Sequence, residues 1–134
     1  MPKTWTEKFN SPSTHQIKSV PVDIAGMKKG EVMLIPTPKI IDAFIAGIPR
    51  GICLDVKTLR ARLAKKYKAE VTCPITTGFH LRAVAEVAIE KLKRGAKPCE
   101  VTPFWRVLDE NAPTTAKLSC GAAFVQKQRK AEGI

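Results

Sequence analysis

The sequence predicts one small domain, built mainly of α-helices with a short β wing. Three segments with the apolar spacing of amphipathic helices follow one another between residues 38 and 95. An extended segment at 98–108, rich in aromatic and β-branched residues, comes next. A chain of 134 residues supports a single core and leaves little room for a second domain. This order of elements is typical of a winged helix-turn-helix.

The first predicted helix begins after Thr37, whose side chain can cap it, with Pro38 in its first position. Gly47 and Pro49 end it. Its apolar positions are Ile40, Ile41, Phe44, Ile45 and Ile48. The preceding residues, 31–35, are apolar enough to form a brief buried segment.

The second predicted helix follows the capping residue Asp55 and carries Leu59, Leu63 and Tyr67 on one side. Its other positions are basic: Lys57, Arg60, Arg62, Lys65, Lys66 and Lys68. A solvated face and a phosphate-contacting stripe both agree with such a run. The net charge of +11 favours a polyanionic partner.

The third predicted helix follows a break at Cys73-Pro74, and Thr76-Thr77-Gly78 leads into it. Gly95 ends it. Its apolar side consists of Leu81, Val84, Ala85, Ala88, Ile89 and Leu92. A last helix opens at Ser119 or Gly121 and ends at Gly133.

Residues 1–30 are interpreted as an N-terminal arm, in which Val20–Ile24 is a candidate edge strand, and 31–134 as the domain. No stretch approaches the ~18 apolar residues of a membrane span, so we expect no membrane partner. The first residues contain no apolar signal core, and we expect a cytoplasmic protein with mostly reduced thiols. The cysteines and histidines are widely spaced, which predicts no metal site. No cofactor is implied.

Four short motifs occur in order along roughly residues 34–133. They are Pro49-Arg50-Gly51-Ile52, Arg82-Ala83-Val84-Ala85, Pro103-Phe104-Trp105-Arg106-Val107, and Cys120-Gly121 through Ala131-Glu132-Gly133. Their order resembles the DNA-binding domain of the alkylguanine DNA alkyltransferases, and more closely their non-enzymatic relatives, the alkyltransferase-like proteins. The resemblance implies the winged helix-turn-helix of the alkyltransferase C-terminal domain, with its recognition helix in the minor groove.

The resemblance also implies which residues touch DNA. Arg82 would enter the base stack, helping to extrude a guanine alkylated on its exocyclic oxygen, and Ala83 would keep that helix face small. We expect Lys57, Arg60 and Thr77 or His80 near phosphates. The alternative for Arg82 is a solvated charge.

This chain departs from the enzymes where their chemistry takes place. Phe104 and Trp105 replace the nucleophilic cysteine and the adjacent histidine, and neither side chain is a nucleophile or a base, so we expect no catalytic residue at this motif. Glu132 therefore has no histidine to orient, and Arg106 is expected to be a structural ion-pair partner. Glu86 would place a carboxylate toward DNA.

The same departures define a predicted base pocket. Phe104 and Trp105 would stack on an extruded base, or else simply fill the core. Cys120, at a predicted helix N-terminus, would line this pocket, and a lowered thiol pKa would make it a displaced alkyl acceptor.

The expected function is a non-enzymatic protein that binds double-stranded DNA, recognises alkylated guanine and marks it for a DNA-repair protein. The main alternative is a generic winged-helix DNA-binding regulator with a filled pocket. Two further alternatives are a thiol transferase using Cys120 and a protein-interaction domain whose charge only aids solubility.

Overall fold

The computed structural model describes residues 4–12 and 14–134. The described chain is rich in helix and contains a small three-stranded sheet, in agreement with the predicted mainly α class. The helices are α1 (Trp5–Asn10), α2 (Pro38–Ala46), α3 (Val56–Lys66), α4 (Pro74–Lys93) and α5 (Gly121–Glu132). The strands are β1 (Gln16–Ser19), β2 (Val32–Ile35) and β3 (Val71–Thr72). Short 3₁₀ turns occur at Pro98–Glu100, Phe104–Arg106 and Thr115–Lys117.

The main core forms where helices α2 to α5 meet the 3₁₀ turn Phe104–Arg106. The longest helix, α4, contacts α1, α2 and this turn. Its side chains supply much of the apolar interior, which consists of Leu81, Val84, Ala85, Ala88 and Ile89 together with residues of the other helices. The body of α4 is therefore fixed by packing on several sides.

The helix ends confirm the capping residues predicted from the sequence. The Thr37 hydroxyl accepts a hydrogen bond from the Ile40 N–H at 3.3 Å. The Asp55 carboxylate accepts one from the Thr58 N–H at 2.6 Å, and hydrogen bonding from Thr58 lowers the pKa of Asp55. At the other end of the chain, Gly133 adopts φ +78°, a conformation that glycine takes without strain, and ends α5.

The predicted arm is folded against the rest of the chain from Thr4 onward, apart from Ser13, which with residues 1–3 lies outside the described residues. Helix α1 packs on α4, and β1 pairs with β2 in antiparallel register. The strand predicted at Val20–Ile24 is wrong, because the ladder ends at Ser19 and Ile24 forms only an isolated bridge. Pro21 has no N–H to continue the ladder.

Helix α4 begins earlier than predicted. Pro74 is its first residue and Cys73 its cap, with the Cys73 sulfur accepting from the Thr76 N–H at 3.5 Å. Proline suits the first helical position because its missing N–H would have no partner there. The predicted break is therefore the start of the helix.

The extended segment predicted at 98–108 is also wrong. It contains 3₁₀ turns at Pro98–Glu100 and Phe104–Arg106. The neighbouring side chains of Phe104 and Trp105 are both buried, whereas in a strand they would point to opposite faces. The small sheet instead has the order β1-β2-β3, with β2 and β3 parallel. Its strands precede α4, so the described sheet is not a wing that follows the third predicted helix.

Candidate nucleic-acid interface

The N-terminal half of α4 presents large apolar side chains to solvent. Ile75 is 61% exposed and Phe79 is 51% exposed. They lie four residues apart, and Arg82 follows three residues later, so the three side chains occupy one side of the helix. Two exposed apolar side chains on one side of a helix make this side a candidate contact surface.

Helix α1 lies beside this surface and adds an aromatic ring and a cation. The Trp5 and Phe79 ring centroids are 6.3 Å apart. The Arg82 guanidinium carbon lies 4.8 Å from the Trp5 ring centroid, and the Lys8 ammonium lies 4.2 Å from it. Both distances fall in the range of cation–π contacts. We call Trp5, Lys8, Ile75, Phe79 and Arg82 the α1–α4 patch.

Arg82 holds one unsatisfied donor within this patch. Its Nε is buried and has no hydrogen-bond partner among the described residues. Because this nitrogen is enclosed, it does not itself offer a contact to an acceptor outside the protein. Arg82 as a whole is only partly buried, so the rest of its guanidinium remains the part available to a partner.

His80 is placed less favourably for a phosphate contact. Its Nδ1 is buried without a partner among the described residues, and burial lowers the pKa of the imidazole below its ordinary value. The ring is therefore neutral at pH 7 and supplies no charge to a phosphate.

Thr77 and Ala83 do not lie on the solvent-facing side of α4, so the contacts predicted for them are wrong. Both are fully buried, and the Thr77 hydroxyl donates to the Cys73 carbonyl oxygen at 2.7 Å. Glu86 is also buried, and its carboxylate accepts from the N–H and the hydroxyl of Ser119 at 2.8 and 3.0 Å. These positions are covered because α4 packs against other elements along most of its length.

The predicted basic face of α3 is at the surface. Lys57 is exposed and Arg60 is partly exposed, and both line a shallow groove beside Glu70 and Thr72. The Thr72 hydroxyl donates to the Arg60 carbonyl oxygen at 2.7 Å, which ties β3 to this helix. Other exposed cations on or just after α3 are Arg62, Lys65, Lys66 and Lys68.

The predicted base pocket is not formed by Phe104 and Trp105. Their exposures are 0% and 2%, and their rings meet edge to face with centroids 5.2 Å apart. Phe124 stacks on Phe104 at 6.2 Å. These contacts leave no aromatic face for an incoming base, and they confirm the alternative that the two side chains fill the core.

Trp105 has a polar role that the sequence did not reveal. Its indole Nε1 donates to Glu132 at 2.6 Å. The same carboxylate receives Arg106 Nε at 2.8 Å, Arg106 Nη2 at 3.1 Å and the Gly51 N–H at 3.1 Å. Burial alone would raise the pKa of Glu132, but these hydrogen bonds outweigh it and lower the pKa to about 2. The expected ion-pair role of Arg106 is confirmed.

Cys120 is not an activated thiol, contrary to the prediction. It is half-buried, and burial, with the Glu86 carboxylate adding to it, raises its pKa. A raised pKa lowers the thiolate fraction at neutral pH, so the activation predicted for the Cys120 thiol is not found in this environment.

We therefore predict that Cys120 reacts with iodoacetamide more slowly than Cys53 and Cys99, which are both exposed. Peptide mass spectrometry after timed labelling of the native protein at neutral pH measures the three rates. Buried Cys73 is the internal control and is expected to be labelled last. Labelling of Cys120 ahead of the exposed pair would contradict its assigned environment.

The described residues contain no cluster of three or more histidine, cysteine or acidic side chains arranged to hold a metal ion. No helix in that part of the chain is both long and apolar enough to cross a bilayer.

Comparison of the chain with protein-family models, curated proteins and solved structures finds no match.

Proposed function

We propose that this chain is a non-enzymatic protein that binds double-stranded DNA through the exposed N-terminal half of α4. The α1–α4 patch carries the proposal, because it combines the exposed Phe79 ring and the exposed Ile75 side chain with two cations in a protein of net charge +11. The sequence Val71–Ala85, which contains this half of α4, has no acidic residue to repel phosphates.

The succession of α3, a short connection containing β3, and α4 supports a helix-turn-helix mode of contact. In such proteins the N-terminal residues of the second helix reach the base edges, and neighbouring elements contact the backbone. Here the first three turns of α4 carry Ile75, Phe79 and Arg82. The exposed cations of α3 are the candidates for phosphate contacts.

The buried aromatic pair favours a plain duplex-binding protein over one that recognises alkylated guanine. An extruded base needs an open pocket, and Phe104 and Trp105 occupy the space where the resemblance would put one. The Trp105–Glu132 hydrogen bond lies where the alkyltransferases pair histidine with glutamate, which adds support to the resemblance without supplying a nucleophile.

A binding titration tests the proposal directly. A labelled duplex is titrated by fluorescence anisotropy at about 50 and about 200 mM salt, where several phosphate contacts make affinity fall by orders of magnitude. The same duplex with one O-alkylated guanine is expected to bind equally well. A preference for the lesion would restore damage recognition, and the absence of binding at low salt would overturn the proposal.

Arg82→Ala is expected to weaken duplex binding by about 1–3 kcal/mol, or roughly 5- to 150-fold, because it removes a cation from the centre of the patch. The matched control is Arg94→Ala, which removes an exposed arginine just after α4 and outside the patch. Anisotropy titrations of both variants at one salt concentration make the comparison. Equal losses would mean that binding depends on net charge and not on this face.

A further inference from the structure

We infer that Phe79, with Ile75 one turn before it, is an apolar wedge that enters a base step of the bound duplex and unstacks it. The inference rests on the proposed function and assigns a specific role to one part of the α1–α4 patch. The other parts of the patch supply charge and support.

The first support is the position of Phe79. It is the aromatic residue among the exposed large apolar side chains of the described chain, which are Ile17, Val22, Ile24, Ile52, Ile75 and Phe79. The other four lie on β1 or in the segments before β2 and α3, whereas Ile75 and Phe79 share α4. Because α4 is anchored in the core, a side chain that projects from it is held on a rigid element.

The second support is what surrounds the ring. Trp5 lies 6.3 Å from Phe79, and the Lys8 ammonium lies 5.8 Å from the Phe79 ring centroid. Thr6 fastens α1 to α4 by donating to the Glu90 carboxylate at 2.7 Å. Phe79 is thus supported on one side while half of its surface stays open.

The two cations beside the apolar side chains, Lys8 and Arg82, favour a partner that carries negative charge. An apolar protein partner would have to strip water from Lys8 and Arg82 without returning a counter-charge. A duplex offers stacked bases to the ring and phosphates to the flanking cations at once. Apolar side chains inserted between base pairs occur in minor-groove proteins, where they unstack a step and kink the duplex.

The wedge also predicts a sequence preference without base-edge hydrogen bonds. Pyrimidine–purine steps such as TA unstack most easily, so a duplex with a central TA step is expected to bind more tightly than one with a central A-tract. The preference is expected to disappear when the phenyl ring is removed.

The experiment uses a duplex with 2-aminopurine, whose fluorescence rises when it unstacks, beside a central TA step. Binding of the full chain is expected to raise the fluorescence, and Phe79→Ala is expected to abolish the rise while weakening binding several-fold. The dependence of affinity on salt stays the same in this variant, because no phosphate contact is lost. Phe79→Leu keeps an apolar wedge and is expected to retain part of the rise.

Val22→Ala is the matched control, because Val22 is 57% exposed but lies between β1 and β2, away from α4. It is expected to change neither the fluorescence nor the affinity. Salt-sensitive binding with no rise would overturn the wedge and leave the proposed function standing. A rise that survives in Phe79→Ala would also overturn the assignment to Phe79, whereas absence of duplex binding would overturn both proposals. Circular dichroism of each variant confirms that it is folded.

Discussion

Replacing Phe104 with alanine is expected to lower the free energy of unfolding by about 3–5 kcal/mol, because it removes a fully buried ring from the centre of the core. The Trp105 and Phe124 rings, with centroids 5.2 and 6.2 Å away, would lose their packing partner. Chemical denaturation followed by tryptophan fluorescence measures the change. Since whole domains are stable by only about 5–15 kcal/mol, this is a large loss.

Phe79→Ala is the matched control for this prediction, because it makes the same chemical change at a half-exposed position. Phe79→Ala is expected to lower the free energy of unfolding by no more than about 1.5 kcal/mol, because only half of the side chain is buried and its main loss is the contact with the Trp5 ring. If Phe104→Ala fails to fold, Phe104→Leu, which leaves a smaller cavity, still reports a loss. If Phe104→Ala lowered the free energy of unfolding no more than Phe79→Ala does, the result would contradict the assignment of Phe104 to the core. A base pocket at this position would then again be a candidate.

The elements predicted correctly were those with a clear local signal at one end or the other. Thr37 and Asp55 begin α2 and α3 through hydrogen bonds to nearby backbone N–H groups, and Gly133 ends α5 in a conformation that favours glycine. Such signals act within a few residues and can be read without knowledge of the fold. The apolar spacing between them then identified the buried sides of these helices.

The elements that were missed depend on distant partners. Helix α1 spans only Trp5–Asn10, too short for an apolar period and too short to be stable alone. All four residues of β1 are exposed, so the strand shows no alternation and depends on β2 for its ladder. At Phe104–Arg106, aromatic composition suggested a strand, but composition does not distinguish a strand from a buried turn.

In the candidate site, too, the features with local signals were predicted and those that depend on tertiary packing were not. Arg82 was correctly placed on a helix, whereas Thr77 and Ala83 were expected at the surface and are buried. The spacing of Ile75, Phe79 and Arg82 puts two apolar residues and a cation on one side of α4. Because apolar residues usually mark the buried side, spacing alone gave no reason to expect Ile75 and Phe79 in solvent. The contact with Trp5 depends on tertiary packing.

Glu132→Gln is expected to lower the free energy of unfolding at pH 7 by about 3 kcal/mol. The pKa of Glu132 falls from 4.5 to about 2 on folding, and each unit of depression corresponds to about 1.4 kcal/mol. The side chain is only 4% exposed, so water cannot replace the Arg106 and Trp105 hydrogen bonds. Glutamine keeps the shape but turns two N–H donors toward a neighbourhood that already consists of donors.

The effect of this substitution is expected to depend on pH in a defined direction. A carboxylate whose pKa is lower in the folded state stabilises the protein fully above its unfolded pKa, and the stabilisation disappears as the pH falls toward the folded pKa. The difference in the free energy of unfolding between the unaltered protein and Glu132→Gln should therefore be constant above about pH 4.5. It should shrink as the pH falls from 4.5 to about 2. Denaturation series at several pH values measure it.

Glu100→Gln provides the comparison, since this carboxylate is exposed and accepts a hydrogen bond from the Lys97 N–H that water can replace. At neutral pH, Glu100→Gln is expected to lower the free energy of unfolding by less than about 1 kcal/mol. The other acidic groups are present in both proteins, so their contributions cancel when the two free energies of unfolding are subtracted. A difference that shrinks as the pH falls is therefore specific to position 132. If the difference in the free energy of unfolding stayed constant down to about pH 2, the charged form of Glu132 would not be the source of the stabilisation, and the loss in Glu132→Gln would come from the amide N–H donors that the substitution introduces.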